Sequence, residues 1–258
     1  MSGNFEIIDC HVHPFLFSET NTEWFCDSRT PDDFVEILKR SGISRACGTV
    51  IKHFEKCDFS DVRELNKEAL DFRNRYPDFF IPGIHIHPDF PEESCEELER
   101  LYKEENVHWV GELVGYMMGF AEYLPEKAYP IYELARDLDV PVNIHTEPEE
   151  IEKICQNFPG LSVVLAHPTA GKGTIEERVE LCAKYPGVYL DISGSGIQRW
   201  GLLRFAIDKA GKEKFLFGTD FPISNPASFV QGALFEDLSD DEFEALLSGN
   251  FKRLTGLQ

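Results

Sequence analysis

Ile7-Ile8-Asp9-Cys10-His11-Val12-His13-Pro14 ends the first apolar run of the chain with two histidines one residue apart. The run, residues 5–10, reads as a β-strand that is apolar on both faces. Such strands are buried between a core and covering helices. Residues two apart in a strand point to the same side, so His11 and His13 reach one point beyond its C-terminal end. Two neutral imidazoles on a rigid strand make a claw for a divalent metal. The alternative is that one of them caps the strand by hydrogen bonding.

Seven more β-type runs follow, at 45–51, 79–84, 107–112, 140–145, 162–167, 188–192 and 215–218. Amphipathic helical stretches separate them, at 60–76, 92–105, 126–138, 149–157, 174–185 and 200–210. Thr30-Pro31-Asp32-Asp33 starts another helix with an N-cap, a proline in the first turn and early acidic residues. Ser239-Asp240-Asp241-Glu242 is a capping box, and Phe243, Leu246, Leu247, Phe251 and Leu254 then keep one apolar helical face. Eight strands alternating with helices predict an α/β fold, a single (β/α)8 TIM barrel over residues 1–258. A doubly wound open sheet is the alternative, and its glycine fingerprint is missing.

Barrel enzymes build their sites at the C-terminal ends of the strands. Seven of the eight histidines fall at or just past such ends: His11, His13, His53, His85, His87, His145 and His167. Gly218-Thr219-Asp220 ends the eighth run, beside the first once the barrel closes. A carboxylate there completes a histidine-rich site and can hold a proton. Glu112 ends the fourth run as a further candidate ligand. His85-Ile86-His87 offers substrate contacts or a structural rim. His53 and Arg199 are further candidates for substrate binding. Loop 15–29, with Phe15, Phe17, Trp24 and Phe25, reads as a lid or as a core plug.

The ordered set resembles the amidohydrolase superfamily, in its amidohydrolase-2 (amidohydrolase-related) branch. The resemblance is carried by the opening Asp-x-His-x-His, by Ile144-His145, Ala166-His167-Pro168 and Gly218-Thr219-Asp220-Phe221-Pro222, and by the tail 246–254. It implies one divalent ion on His11, His13, His145 and Asp220, with His167 orienting water or substrate. In binuclear members it implies a bridging Glu112, with His145 and His167 serving a second ion. Zinc is the expected metal, with Mn, Fe or Co as alternatives, at one or two per chain. Asp220 and His167 are the implied catalytic residues. The expected activity is hydrolysis of a small-molecule ester, lactone or amide by metal-activated water. The alternative is a non-oxidative decarboxylase similar to aminocarboxymuconate-semialdehyde decarboxylase. A deoxyribonuclease-like hydrolase and a non-catalytic binding barrel follow behind. Hydrolysis is preferred because the chain is short, leaving little room for the insertions of larger decarboxylase pockets.

Composition narrows the partners. With 25 basic and 46 acidic residues the net charge is −21, which repels phosphate backbones, so a small molecule is expected and a nucleic acid is not. No apolar stretch reaches the ~18 residues of a membrane span, and the start Met1-Ser2-Gly3-Asn4 lacks a leader pattern. Seven cysteines without CxxC spacing read as reduced thiols. The expectation is a cytoplasmic protein, with a homodimer as the oligomer guess.

Overall fold

The computed structural model describes residues 5–25 and 29–257. Eight parallel strands follow chain order: β1 (Ile8–Val12), β2 (Arg45–Gly48), β3 (Phe80–Pro82), β4 (Val110–Leu113), β5 (Val142–Ile144), β6 (Val163–Leu165), β7 (Val188–Asp191) and β8 (Phe215–Leu216). β1 to β3 form one continuous ladder and β4 to β8 another. Parallel bridges at Ile84–Val110 and Val12–Phe221 join the two ladders at both seams and close the barrel. The expected (β/α)8 fold is therefore the fold observed.

Helices surround the barrel and close one end: α1 (Pro31–Arg40), α2 (Phe59–Arg75), α3 (Pro91–Glu105), α4 (Gly115–Met118), α5 (Tyr129–Asp137), α6 (Pro148–Asn157), α7 (Lys172–Lys184), α8 (Leu202–Ala210), α9 (Pro226–Leu234), α10 (Asp240–Glu244) and α11 (Asn250–Thr255). Thr30 caps α1, and Ser239 caps α10 in a reciprocal box with Glu242, as the sequence predicts; Thr30 forms such a box with Asp33 as well. The long apolar cluster between strands and helices includes Phe34, Leu38, Phe72, Leu98, Ile131, Val179 and Leu203.

A second, smaller cluster joins Ile8, Cys10, Cys47, Trp109, Val164, Tyr189 and Leu216 to Phe251 and Leu254 of α11. It contains no residue of α1 to α9, so it is the barrel interior. α11 plugs the end where the strands begin, with Phe251 against Trp109 at a ring separation of 5.3 Å. Asn250 ties that plug down by donating to the carbonyls of Lys212 and Phe215, at 2.7 and 2.8 Å. The opposite end of the barrel is left for the site.

Cys10, Cys47, Cys57, Cys95, Cys155 and Cys182 are free thiols; Cys26 lies outside the described residues, as does part of the predicted lid. Among the described residues no helix is long and apolar enough to cross a membrane.

Candidate metal centre

Two register shifts build the site. On β1 the ladder shifts between Asp9 and Val12. Ile8 and Cys10 face the interior, whereas Val12 packs outward. A bulge inverts the inside–outside phase of a strand. His11 and His13 thus turn into the barrel mouth, where both are buried. On β4 a shift between Val110 and Leu113 acts alike: Trp109 faces the interior, and Glu112 joins the histidines at the mouth.

His11 Nδ1 lies 3.0 Å from Asp191 Oδ2, and His13 Nδ1 donates to the carbonyl of Thr49 at 3.1 Å. These partners only accept, so each Nδ1 carries the ring proton and each Nε2 is free to ligate. His11 Nε2 is buried without a hydrogen-bond partner. It lies 3.3 Å from Glu112 Oε2 and 3.8 Å from Asp220 Oδ1. His13 Nε2 lies 3.4 Å and 3.3 Å from the same two atoms. The second oxygen of Glu112 faces the other way, 2.8 Å from His145 Nδ1 and 3.2 Å from His167 Nε2.

Among the described residues two three-residue groups have ligand atoms within 4.8 Å of one another: His11, His13 and Asp220, and His11, Glu112 and His167. An orphaned imidazole nitrogen facing carboxylates is what a divalent-ion site requires, and these residues fit one.

Charge within the cluster tunes its members. Burial pushes His13 down, but the Asp220 and Glu112 carboxylates outweigh it and hold the imidazole at about 9. His11 and His167 are likewise raised, by Glu112 against the pull of burial. Burial raises Glu112, yet the imidazoles around it, His11 foremost, keep it well below the usual carboxylate range.

Backbone strain gathers here too. His167 and Asp220 have φ of 65° and 62°, the left-handed region that costs an L-residue about 1–3 kcal/mol. Gly194, at φ 64°, lets β7's loop approach the His167 ring; a Cβ there would meet Nδ1 at 2.4 Å.

The structure thus brings together His11, His13, Glu112, His145, His167 and Asp220. Within the cluster His145 bonds Glu112 and meets the His167 ring edge-on at 4.9 Å, and its side chain is 38% exposed, under the edge of Tyr116. His85 is buried, with Nε2 on the Val50 carbonyl at 2.7 Å and Nδ1 without a partner; burial lowers it to about 4, so it is neutral. Both ring nitrogens of His87 are committed, one to the Met118 carbonyl and one to the amide of Asp89. His53 is exposed on the loop after β2. Arg199 is exposed and bonds the Ala170 carbonyl, in a surface groove of about 500 Å³ with Lys172 and Trp200.

Sequence reasoning passed over Asp191, Ser193 and Asn143, which link the cluster from β5 and β7. Their signal was available. Asp191 is a carboxylate ending an otherwise apolar strand, and Ser193 follows two residues later on the same face.

The family model described as Amidohydrolase matches residues 8–257. No curated protein matches the chain. Solved structures do. 2,6-Dihydroxybenzoate decarboxylase from Rhizobium superposes with a TM-score of 0.77 at 15% identity, over 98% of this chain and 99% of that one. 5-Carboxyvanillate decarboxylase from Sphingomonas paucimobilis gives 0.74 at 14%, over 98% and 100%. Dihydroxybenzoic acid decarboxylase from Polaromonas sp. JS666, with bound manganese and the inhibitor 2-nitroresorcinol, gives 0.72 at 17%, over 98% and 97%. At such identities these likenesses establish the fold. They also correct the assignment of the chain as a hydrolase of esters, lactones or amides. That preference rested on a chain too short for a decarboxylase, whereas these decarboxylases align over 97–100% of their own length.

Proposed function

The chain belongs to the amidohydrolase family, and from that premise we propose that it is a metal-dependent, non-oxidative decarboxylase of a hydroxylated aromatic acid. The observation that carries this reading is the convergence of His11 Nε2, His13 Nε2 and an Asp220 oxygen at the mouth of a barrel shared with such decarboxylases.

One ion per chain is proposed, on His11, His13 and Asp220. Both convergent groups need His11, and its Nε2 has a single lone pair, so the two groups cannot be filled together. The donor set of imidazoles and carboxylate accepts several divalent metals. Manganese is proposed because a similar decarboxylase holds it. When bound, the ion supplies a Lewis acid that anchors the acid's oxygens and stabilises the negative charge they carry.

The chain's own residues do the rest. Asp220, beside His13, relays a proton from solvent to the ring carbon that bears the carboxylate. The carbon–carbon bond then breaks, its electrons return to the ring, and carbon dioxide leaves. Thus acid anion plus one proton gives arene plus carbon dioxide. His167, with Nε2 facing the cluster, orients the bound acid. His145, at the exposed edge with Tyr116, contacts the rest of the ring.

The test is a panel of hydroxybenzoates and carboxyvanillates with manganese-loaded protein in D₂O. The expected result is one deuterium at the vacated ring carbon, with equimolar carbon dioxide. Turnover of esters or lactones with no change in any aromatic acid rejects the reading.

A further inference from the structure

We infer that Asp191 is a positioning residue that fixes the tautomers of His11 and His167, and so determines which nitrogen each presents to the site. The inference rests on the proposed role of His11 as a ligand through Nε2. Asp191 ends β7, is fully buried, and is surrounded by donors alone. Its Oδ2 faces His11 Nδ1 at 3.0 Å and accepts from Asn143 Nδ2 at 2.8 Å. Its Oδ1 accepts from the Ser193 amide at 3.0 Å, from the Ser193 hydroxyl, and from the His167 amide at 3.5 Å.

A carboxylate can only accept. His11 must therefore carry its proton on Nδ1, which leaves the Nε2 lone pair for the ion. The Ser193 hydroxyl has one proton, and it goes to Asp191. Its oxygen can then only accept from the His167 Nδ1 at 2.9 Å. His167 is thereby held with Nδ1 protonated and Nε2 toward Glu112. One carboxylate orients a ligand directly and the second imidazole through a hydroxyl. Histidine ligands are commonly fixed in this way from behind, and the supporting partner sets ring orientation and basicity.

The decisive variant is Asp191→Asn, nearly isosteric but with one acceptor and one NH₂ donor. Three donors crowd the Oδ1 position, so the carbonyl oxygen belongs there. The NH₂ then faces His11 Nδ1, which must become an acceptor, and the ring proton moves to Nε2, where the ion has to bind. Manganese affinity is measured by competition with a chelator in metal-free wild-type and Asp191→Asn protein. The expected loss is about 10–100-fold with wild-type circular dichroism retained. A folded Asp191→Asn with wild-type affinity overturns the inference while leaving the metal site standing. Wild-type protein that takes up no ion removes the metal reading and this inference together. Should Asp191→Asn not fold, ¹⁵N-histidine spectra of zinc-loaded wild type decide. A His11 ring proton on Nδ1 with zinc on Nε2 supports the inference, and the reverse pattern overturns it.

Discussion

His13 is tuned by neighbours that a bound ion would replace. Its pKa of about 9 exceeds the ordinary value of 6.5, because Asp220 and Glu112 favour the cation over the cost of burial. A raised folded-state value adds stability that is complete below pH 6.5 and is lost as pH rises through 9. Metal-free protein should therefore lose thermal stability between these limits. Metal competes with that proton, so the rise in Tm on adding manganese should be larger at pH 9 than at pH 6.5; calorimetry at both values checks it. Asp220→Asn should keep the fold and lower kcat by about 10²–10⁴, the scale of a lost general acid, in a steady-state assay. Glu112→Gln should weaken metal binding yet leave one ion per chain, measured by elemental analysis. The residues that carry these predictions are legible because histidines and carboxylates at strand ends stand out. Asp191 also ends a strand, but its role lies in whom it faces, and only the closed barrel brings β7 against β1.

At the scale of elements, the bulges of β1 and β4 matter most. Simple alternation would place His11 outward if Cys10 faces in; the register shift after Asp9 resolves this, and no spacing in the sequence displays it. The C-terminal helix was read correctly for its buried face, since Phe243, Leu246, Leu247, Phe251 and Leu254 are all buried. Its continuity was not, because a π-helical stretch at Ala245–Gly249 interrupts it. A wider turn adds a residue without removing the apolar stripe, so periodicity stays blind to it. α9 was also missed, although Asn225 caps it and Pro226 opens it. Phe251→Ala, which empties the plug beneath Trp109, should cost about 3–5 kcal/mol in denaturant unfolding, far from the metal ligands.

The whole molecule explains why distant stretches share one chemistry. Strand order equals chain order, so β1 and β8 become neighbours only when the barrel closes at Val12–Phe221, and the Asp220 amide then bonds the His11 carbonyl at 2.8 Å. Alternation of strands and helices made that closure legible from the sequence. The reaction was less legible, because hydrolysis and decarboxylation place similar demands on the same ligands, and length misled where end-to-end superposition corrected it. The most direct test of the account is carbon dioxide release from a hydroxybenzoate that the protein binds, followed as manganese is titrated into the metal-free chain. The rate should rise linearly and level off at one manganese per chain. A site filled with metal that releases no carbon dioxide from any bound aromatic acid would contradict it.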